Sequence, residues 1–215
     1  MRGMAKASLT SRVADTEPRV RRGYFECRYG QLHVHNAIPS GGGFEEGTSL
    51  LCLHPAAMSG RVFQRFLRLM CRDRSVYAPD LPGCGESDGP IGRATAADYA
   101  AAIGDFLDSM RFRQIDLLGY HAGALVGIEL AIARPQQVRR LVLVGVPESA
   151  RDRISLVTAQ QLMVLRPKDD LWESTQRVRE RLPKARFVDM PDQSSTLFET
   201  APEVVGNAVR DFLRS

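Results

Sequence analysis

A sharp turn between a short apolar run and a long apolar one constrains this chain more than any other feature. Residues 114–118 suit a buried strand, and residues 121–134 suit an apolar helix that stops before a proline. Between them, residues 119–123 read Gly-Tyr-His-Ala-Gly, and the small residues around His121 permit a very tight strand-to-helix connection. Such a turn projects its central side chain into the crevice at the carboxyl ends of parallel strands.

The same alternation of short apolar runs with longer helical ones extends along the chain. Strands are predicted at 24–29, 31–36, 49–53, 75–78, 114–118, 140–146, 161–165 and 185–189, and helices at 61–71, 95–110, 121–134, 174–182 and 203–213. The first two strands meet at Gly30 and should pair antiparallel. The fold class predicted is therefore α/β, with a mostly parallel, twisted sheet of about eight strands flanked by helices.

Length and composition place these elements in one domain. A chain of 215 residues, 44% hydrophobic and 25% charged, has the balance of a globular protein with a sizeable core. We expect residues 23–215 to form that domain. Residues 1–22 carry six basic and two acidic side chains and should be a flexible basic leader, and the glycine-rich residues 39–47 should be a flexible connection.

Several functional classes lack their usual signatures. There is neither a run of about 18 apolar residues for a membrane span nor an apolar segment for a signal peptide. The net charge of +4 is mild, and no phosphate-binding glycine motif supports a nucleotide cofactor. The four cysteines are scattered without a C-x-x-C pattern. We therefore expect a cytoplasmic protein with no cofactor and with neither nucleic acid nor a membrane as its partner.

Metal binding finds little support in the sequence. His33 and His35 fall on one face of an early strand, and such a pair can ligate a metal ion. No carboxylate or cysteine close by completes a ligand set, so no metal site is predicted.

Three motifs, in order along the chain, resemble those of the α/β-hydrolase superfamily. Residues 119–123 match the family's Gly-x-Ser-x-Gly nucleophile elbow, with His121 at the serine position. Residues 53–56 (Leu-His-Pro-Ala) match its His-Gly oxyanion loop, and residues 80–88 carry its Asp-x-Pro-Gly-x-Gly-x-Ser loop complete. The resemblance extends from about Tyr24 to the C-terminus and implies an α/β-hydrolase fold.

The resemblance also implies roles for residues around the elbow. Ala56 and Ala122 would supply the two backbone N–H groups of an oxyanion hole. His54 would brace the oxyanion loop. Apart from the resemblance, the position of Tyr120 next to His121 predicts that it lines the crevice.

The later members of the family's triad are incomplete in this chain. The acid falls on Asp170 by register, with Asp169 the close alternative, whereas the family's histidine would fall where Gln193 or Ser195 stands. Since neither the serine nor the histidine is in its place, the chain should not work as an ordinary serine hydrolase. His121 is instead predicted to pair with Asp170 and to act as a general base.

The family's lid is also predicted to be absent. It normally enters after the strand at 140–146, but only 14 residues separate Val146 from Gln161, which is enough for one crossover. The crevice mouth, with Ala57, Met58, Val146 and Pro147, would then face solvent. Either a homodimer covers it, or residues 148–158 fold back over it as a short amphipathic helix.

Two functions of different class remain open. One is an enzyme that acts on a small ester or carbonyl substrate through His121, Asp170 and the oxyanion N–H groups. The other is a non-catalytic protein that binds a small molecule or a protein partner in the open crevice. The empty third triad position favours binding, and the retained acid and oxyanion loop favour an enzyme, while the fold hosts both.

Overall fold

An eight-stranded sheet forms the centre of the protein, whose computed structural model describes residues 19–39, 47–159 and 161–215. Its strands are Arg21–Cys27 (β1), Gly30–Ala37 (β2), Gly47–Leu53 (β3), Arg74–Pro79 (β4), Ile115–Tyr120 (β5), Val138–Val144 (β6), Gln161–Pro167 (β7) and Arg186–Met190 (β8). Their order is β1-β2-β4-β3-β5-β6-β7-β8. β2 is antiparallel to both neighbours, and the pairs from β4 to β8 are parallel. The predicted α/β fold class is confirmed.

Helices cover both faces of this sheet. They are Gln64–Met70 (α1), Ala96–Ser109 (α2), Ala122–Ala133 (α3), Trp172–Val178 (α4), Leu197–Thr200 (α5) and Pro202–Arg214 (α6). Neighbouring residues of β5 divide between two buried clusters, because successive side chains of a strand point to opposite faces. Leu117 packs in the cluster with α2 and α3, and Leu118 in the cluster with α1 and α6. Within the described ranges, no helix is both long and apolar enough to cross a membrane.

The ends of the elements agree with their sequence signals in some places and differ in others. Helix α2 begins at the predicted cap, where Thr95 and Asp98 form a reciprocal capping box. Strand β1 begins at Arg21, so the last two residues of the predicted leader belong to the sheet. Residues 1–18 of that leader and residues 40–46 of the glycine-rich connection lie outside the described residues. Helix α5 was not predicted.

The segment between β6 and β7 forms two short 3-10 helices, Glu148–Ala150 and Ile154–Leu156. The prediction of one amphipathic helix over residues 148–158 is therefore wrong. The reason is that Ala150 and Ile154 are anchored separately in the core on the α2 and α3 face. Val146 is also fully buried, because it packs in the same core cluster, and its N–H donates to the Thr175 hydroxyl at 2.7 Å. The prediction that Val146 faces solvent at the crevice mouth is therefore wrong.

Candidate functional site

The turn from β5 into α3 holds His121 in a conformation that residues with side chains seldom adopt. Its φ is 51° and its ψ is −114°. The His121 N–H donates to the Val144 carbonyl at 2.9 Å, and the His121 carbonyl accepts from the Ala124 N–H at 2.9 Å. The turn is thus tied to β6 and to α3, and these bonds maintain a strained backbone at the carboxyl edge of the sheet.

Two glycines make this turn sterically feasible. A Cβ on Gly119 would lie 2.5 Å from the Gly123 carbonyl oxygen, and a Cβ on Gly123 would lie 2.1 Å from the Leu53 carbonyl oxygen. Only glycine therefore lets α3 start so close to β5 and β3. The close approach sets the first turn of α3 against the loop that follows β3, which carries His54 and Ala56.

His121 pairs with Asp169, which corrects the prediction of Asp170. The His121 Nε2 lies 2.8 Å from the Asp169 Oδ2, and the Asp169 side chain is 2% exposed against 17% for the imidazole. The other oxygen of Asp169 accepts the Leu171 N–H at 2.9 Å, which turns this carboxylate inward. Asp170, the next residue, is exposed. The register predicted from the sequence is one residue too late, because a tight turn joins β7 to α4. In this turn the Trp172 N–H donates to the Asp169 carbonyl.

Gly145 provides the space for the imidazole. Its φ is +60°, and a Cβ there would lie 2.5 Å from His121 Cδ2 and 3.4 Å from Asp169 Oδ2. On another side the Tyr120 ring lies edge-on, with its centroid 4.5 Å from that of His121. Burial raises the pKa of Tyr120, and the negative charges of Asp169 and Glu199 raise it further, so its hydroxyl stays protonated.

The loop that follows β8 reaches the same edge through its backbone. The Lys168 N–H donates to the Gln193 carbonyl at 2.6 Å, and the Tyr120 hydroxyl donates to the Ser195 carbonyl. The Gln193 side chain is half-buried, while Ser195 is exposed. The structure thus brings both predicted residues to the site, but neither side chain forms a hydrogen bond with His121 or Asp169.

Ala56 and Ala122 place two backbone N–H groups at this edge. Ala122 is the first residue of α3, where an N–H has no partner within the helix. Across the described ranges, neither N–H donates to a protein acceptor. These are the groups that the resemblance assigns to an oxyanion hole.

His54 holds the loop that carries Ala56. Its Nε2 accepts the Leu81 N–H at 2.8 Å, so Nδ1 carries the proton and donates to the Pro55 carbonyl at 2.7 Å. Burial lowers the pKa of His54, which favours the neutral ring that this pattern requires. These contacts are those of the brace expected from the sequence.

Among the residues that the structure describes, two groups of side chains have donor atoms close enough together for a metal ion. In one group, His121 and Asp169 are joined by Asp170, and in the other His33 and His35 are joined by Asp80, with all donor atoms of a group within 4.8 Å of one another. The second group corrects the expectation that no carboxylate lies near the histidine pair. Asp80 is distant in sequence, but it follows β4, which pairs with β2.

Hydrogen bonds within the protein already satisfy the Asp80 carboxylate. It lies 2.9 Å from His33 Nδ1 and 3.5 Å from His35 Nε2, and it accepts the N–H groups of Gly60 and Glu86. Burial alone would raise its pKa, but these four contacts outweigh burial and hold the pKa well below its usual range. The cluster thereby fastens the loop after β4 to β2.

Comparison with known proteins adds a family and a fold. The model of the alpha/beta hydrolase fold family matches residues 48–215. A 2-hydroxymuconate semialdehyde hydrolase of Pseudomonas sp. (strain CF600) is 32% identical over 117 residues, which are 51% of this chain and 39% of that protein. A 2-hydroxy-6-oxo-2,4-heptadienoate hydrolase of Pseudomonas putida is 35% identical over 77 residues, which are 35% of this chain and 28% of that protein. The chain thus spans well under half the length of these relatives.

Solved structures resemble the chain over most of its length. The enol-lactonase of Burkholderia xenovorans LB400 superposes with a TM-score of 0.79 at 13% identity, covering 90% of this chain and 100% of the other. A CIB-like hydrolase of Thermoplasma acidophilum superposes with a TM-score of 0.80 at 16% identity, covering 92% and 99%. Likeness at such low identity shows a shared fold.

Proposed function

The chain belongs to the alpha/beta hydrolase fold family, and we propose that it is an enzyme that hydrolyses a small ester or related carbonyl compound with His121 and Asp169. The observation that carries the proposal is the 2.8 Å contact between His121 Nε2 and Asp169 Oδ2. His121 stands at the position of the family's serine, so the chemistry differs from that of a Ser-His-Asp triad. The two relatives, a semialdehyde hydrolase and an oxo-dienoate hydrolase, support a carbonyl-bearing substrate.

Asp169 sets the protonation pattern of the imidazole. A hydrogen bond from Nε2–H to the carboxylate leaves Nδ1 unprotonated in the neutral ring. Within the described ranges, Nδ1 of His121 has no hydrogen-bond partner. It is therefore free to take a proton from a water molecule as the water oxygen bonds to the substrate carbonyl carbon.

The N–H groups of Ala56 and Ala122 stabilise the negative charge that this addition creates on the substrate oxygen. The carbonyl oxygen becomes an oxyanion, which two fixed backbone donors stabilise without reorganisation. When the tetrahedral adduct collapses, the bond to the leaving oxygen breaks, and that oxygen takes the proton from Nδ1 of the imidazolium. The products are a carboxylic acid and an alcohol, and His121 returns to its neutral form.

We also infer that no lid covers this site. The segment between β6 and β7 is anchored in the core at Ala150 and Ile154, and the imidazole of His121 retains 17% of its exposure. A small molecule could thus reach His121 directly from solvent. Ala57 and Met58 are exposed beside the oxyanion loop, and their coverage by a second copy of the chain stays a prediction.

Ester turnover by matched variants tests the proposal. We expect p-nitrophenyl butyrate hydrolysis by the wild type to fall about 10²–10⁴-fold in His121→Ala and Asp169→Asn, the usual contribution of a general base. Asp170→Asn is the matched control, because it removes the neighbouring exposed carboxylate and should keep wild-type activity. A serine-directed fluorophosphonate should leave the wild type unlabelled. Equal losses in Asp170→Asn, or stoichiometric serine labelling, would contradict the assignment.

A second candidate function is a binding protein without catalysis. The observation that favours it is the third triad position, where Gln193 and Ser195 contribute only backbone atoms to the site. Gln193 has no group that accepts a proton at neutral pH. If the wild type hydrolysed the ester no faster than His121→Ala, the result would favour the binding function over the enzymatic one.

A further inference from the structure

A cavity of about 480 Å³ opens at the amino edge of the sheet, the edge opposite to His121. It lies where β7 and β8 begin, beside the last turn of α6. The segment between β6 and β7, which in this chain runs away from the candidate site, contributes Val157 and Ala159 to its wall. The volume falls within the range of about 300–1,000 Å³ that is usual for small-molecule sites.

Three large apolar side chains form part of the cavity wall. Leu162 at the start of β7, Leu182 before β8 and Phe212 in α6 all line it. Phe212 is 4% exposed, and the two leucines are half-buried. An apolar chain that covered these side chains would remove them from water, which stabilises a complex by roughly 25 cal/mol for each Å² buried.

Three cationic side chains stand at the rim of the cavity, and no acidic side chain of the described residues does. Arg181, Lys184 and Arg186 line the cavity and are exposed, and no aspartate or glutamate lines it. Across the described ranges, none of the three forms an ion pair. Other arginines in this part of the chain do pair, as Arg166 and Arg179 do with Asp189.

Arg140 extends this positive region behind the cavity. Its guanidinium donates to Gln161 Oε1 at 2.6 Å and to the Leu213 carbonyl, both uncharged acceptors. Burial lowers the pKa of Arg140, and the charges of Arg139 and Arg74 lower it further against the opposing charge of Asp116. A ligand with negative charge would relieve this accumulation, whereas a cationic or neutral ligand would not.

We propose that this cavity binds an amphipathic organic anion. A carboxylate or phosphate monoester head would lie between Lys184 and Arg186, and an apolar chain would lie on Leu162, Leu182 and Phe212. Guanidinium and ammonium groups form charge-assisted hydrogen bonds with both kinds of head group. The site is independent of the hydrolytic chemistry proposed for His121.

Calorimetric titration with octanoate and with octyl phosphate tests the proposal and distinguishes the two head groups. We expect saturable binding of at least one of them. Binding of 1-octanol, which lacks the charge, and of acetate and inorganic phosphate, which lack the chain, should be at least tenfold weaker. Octyltrimethylammonium, which carries the opposite charge, should not bind.

Variants locate the binding. The double variant Lys184→Gln/Arg186→Gln should weaken the affinity at least tenfold, and both positions are exposed, so the fold should persist by circular dichroism. Arg21→Gln, which removes an exposed arginine from β1 at the other end of the strand order, is the matched control and should bind like the wild type. Amide chemical shifts should move around Leu162 and Arg186. Shifts confined to the region of His121, equal affinity in the double variant, or no binding of either anion would overturn the proposal.

Discussion

The turn at His121, on the carboxyl edge of the central sheet, and the region of Asp116, on the amino edge, are fixed by different kinds of interaction. At the carboxyl edge, close contacts at Gly119 and Gly123 with backbone, and at Gly145 with side chains, position His121 and Asp169. At the amino edge, a buried carboxylate, Asp116, accepts hydrogen bonds from Arg74 and Arg139. The turn that holds His121 depends on shape at a few backbone positions, whereas the anchoring of the amino edge at Asp116 depends on the balance of charge.

This difference indicates where each edge tolerates change. A glycine that touches a carbonyl oxygen has no room for even one methyl group, whatever the chemistry of the substitution. At the amino edge, substitution of exposed cations such as Lys184 and Arg186 should leave the fold intact. Substitution of the buried Asp116 should destabilise it. A ligand site is thus more easily modified at the amino edge, and a reactive geometry is better maintained at the carboxyl edge.

The largest effect is expected from Gly123→Ala at the carboxyl edge. The new methyl group would lie 2.1 Å from the Leu53 carbonyl oxygen, and neither β3 nor α3 can move aside without losing its packing. We expect the variant to lose more than about 4 kcal/mol of unfolding free energy, or to yield no folded protein. Urea denaturation followed by circular dichroism measures it.

Gly127→Ala in the same helix is the matched control. Its methyl group would meet Leu117 Cδ2 at 3.7 Å and Gly119 Cα at 3.8 Å, which are ordinary contact distances. An alanine in a helix interior is favoured over glycine by roughly 0.5–1 kcal/mol, so this variant should be slightly more stable than the wild type. Similar losses in both variants would show that the contact with β3 is not what constrains the turn.

The next effect concerns the amino edge, where Asp116→Asn removes a fully buried charge. Arg74 and Arg139 would keep their positive charges while losing a carboxylate that lies within 3.1 Å of both. Breaking such a buried arrangement costs roughly 3–5 kcal/mol. Asp108→Asn breaks a pair with Arg134 in which the acid is 57% exposed, and it should cost less than about 1 kcal/mol. Equal costs at the two positions would refute the view that charge balance fixes this edge.

The fold was predictable because its signals are local. Short apolar runs alternate with helical ones, and Thr95 with Asp98 three residues later indicates the start of α2. The missed details are those that depend on tertiary contacts. Ala150 and Ile154 interrupt what reads as one amphipathic helix, because each is drawn separately into the core.

The residues of the candidate site were likewise predictable only where a local motif specifies them. The elbow, His54 and Ala122 follow from motifs whose spacing is fixed by backbone geometry. The choice between Asp169 and Asp170 depends on one tight turn after β7, which no residue pattern specifies. The cluster of Asp80 with the two histidines of β2 and the cavity at the amino edge join residues that are far apart in sequence, so periodicity alone does not reveal them.

The smallest change in stability is expected from a pair of glycine substitutions that separates backbone strain from contact with the imidazole of His121. Gly145→Ala and Gly92→Ala both place a methyl group at a positive φ, +60° and +93° respectively, which costs about 1–2 kcal/mol. At Gly92 no atom lies within 4 Å of the new Cβ, whereas at Gly145 the Cβ would lie 2.5 Å from His121 Cδ2. We therefore expect similar unfolding free energies within about 1 kcal/mol, but a loss of ester hydrolysis only in Gly145→Ala, because only there must the imidazole leave Asp169. Imidazole signals in NMR spectra should shift in that variant alone. If Gly145→Ala kept the wild-type activity and spectrum, the hydrogen bond between His121 and Asp169 would not depend on the glycine, and shape at this edge would be less strict than the contacts indicate.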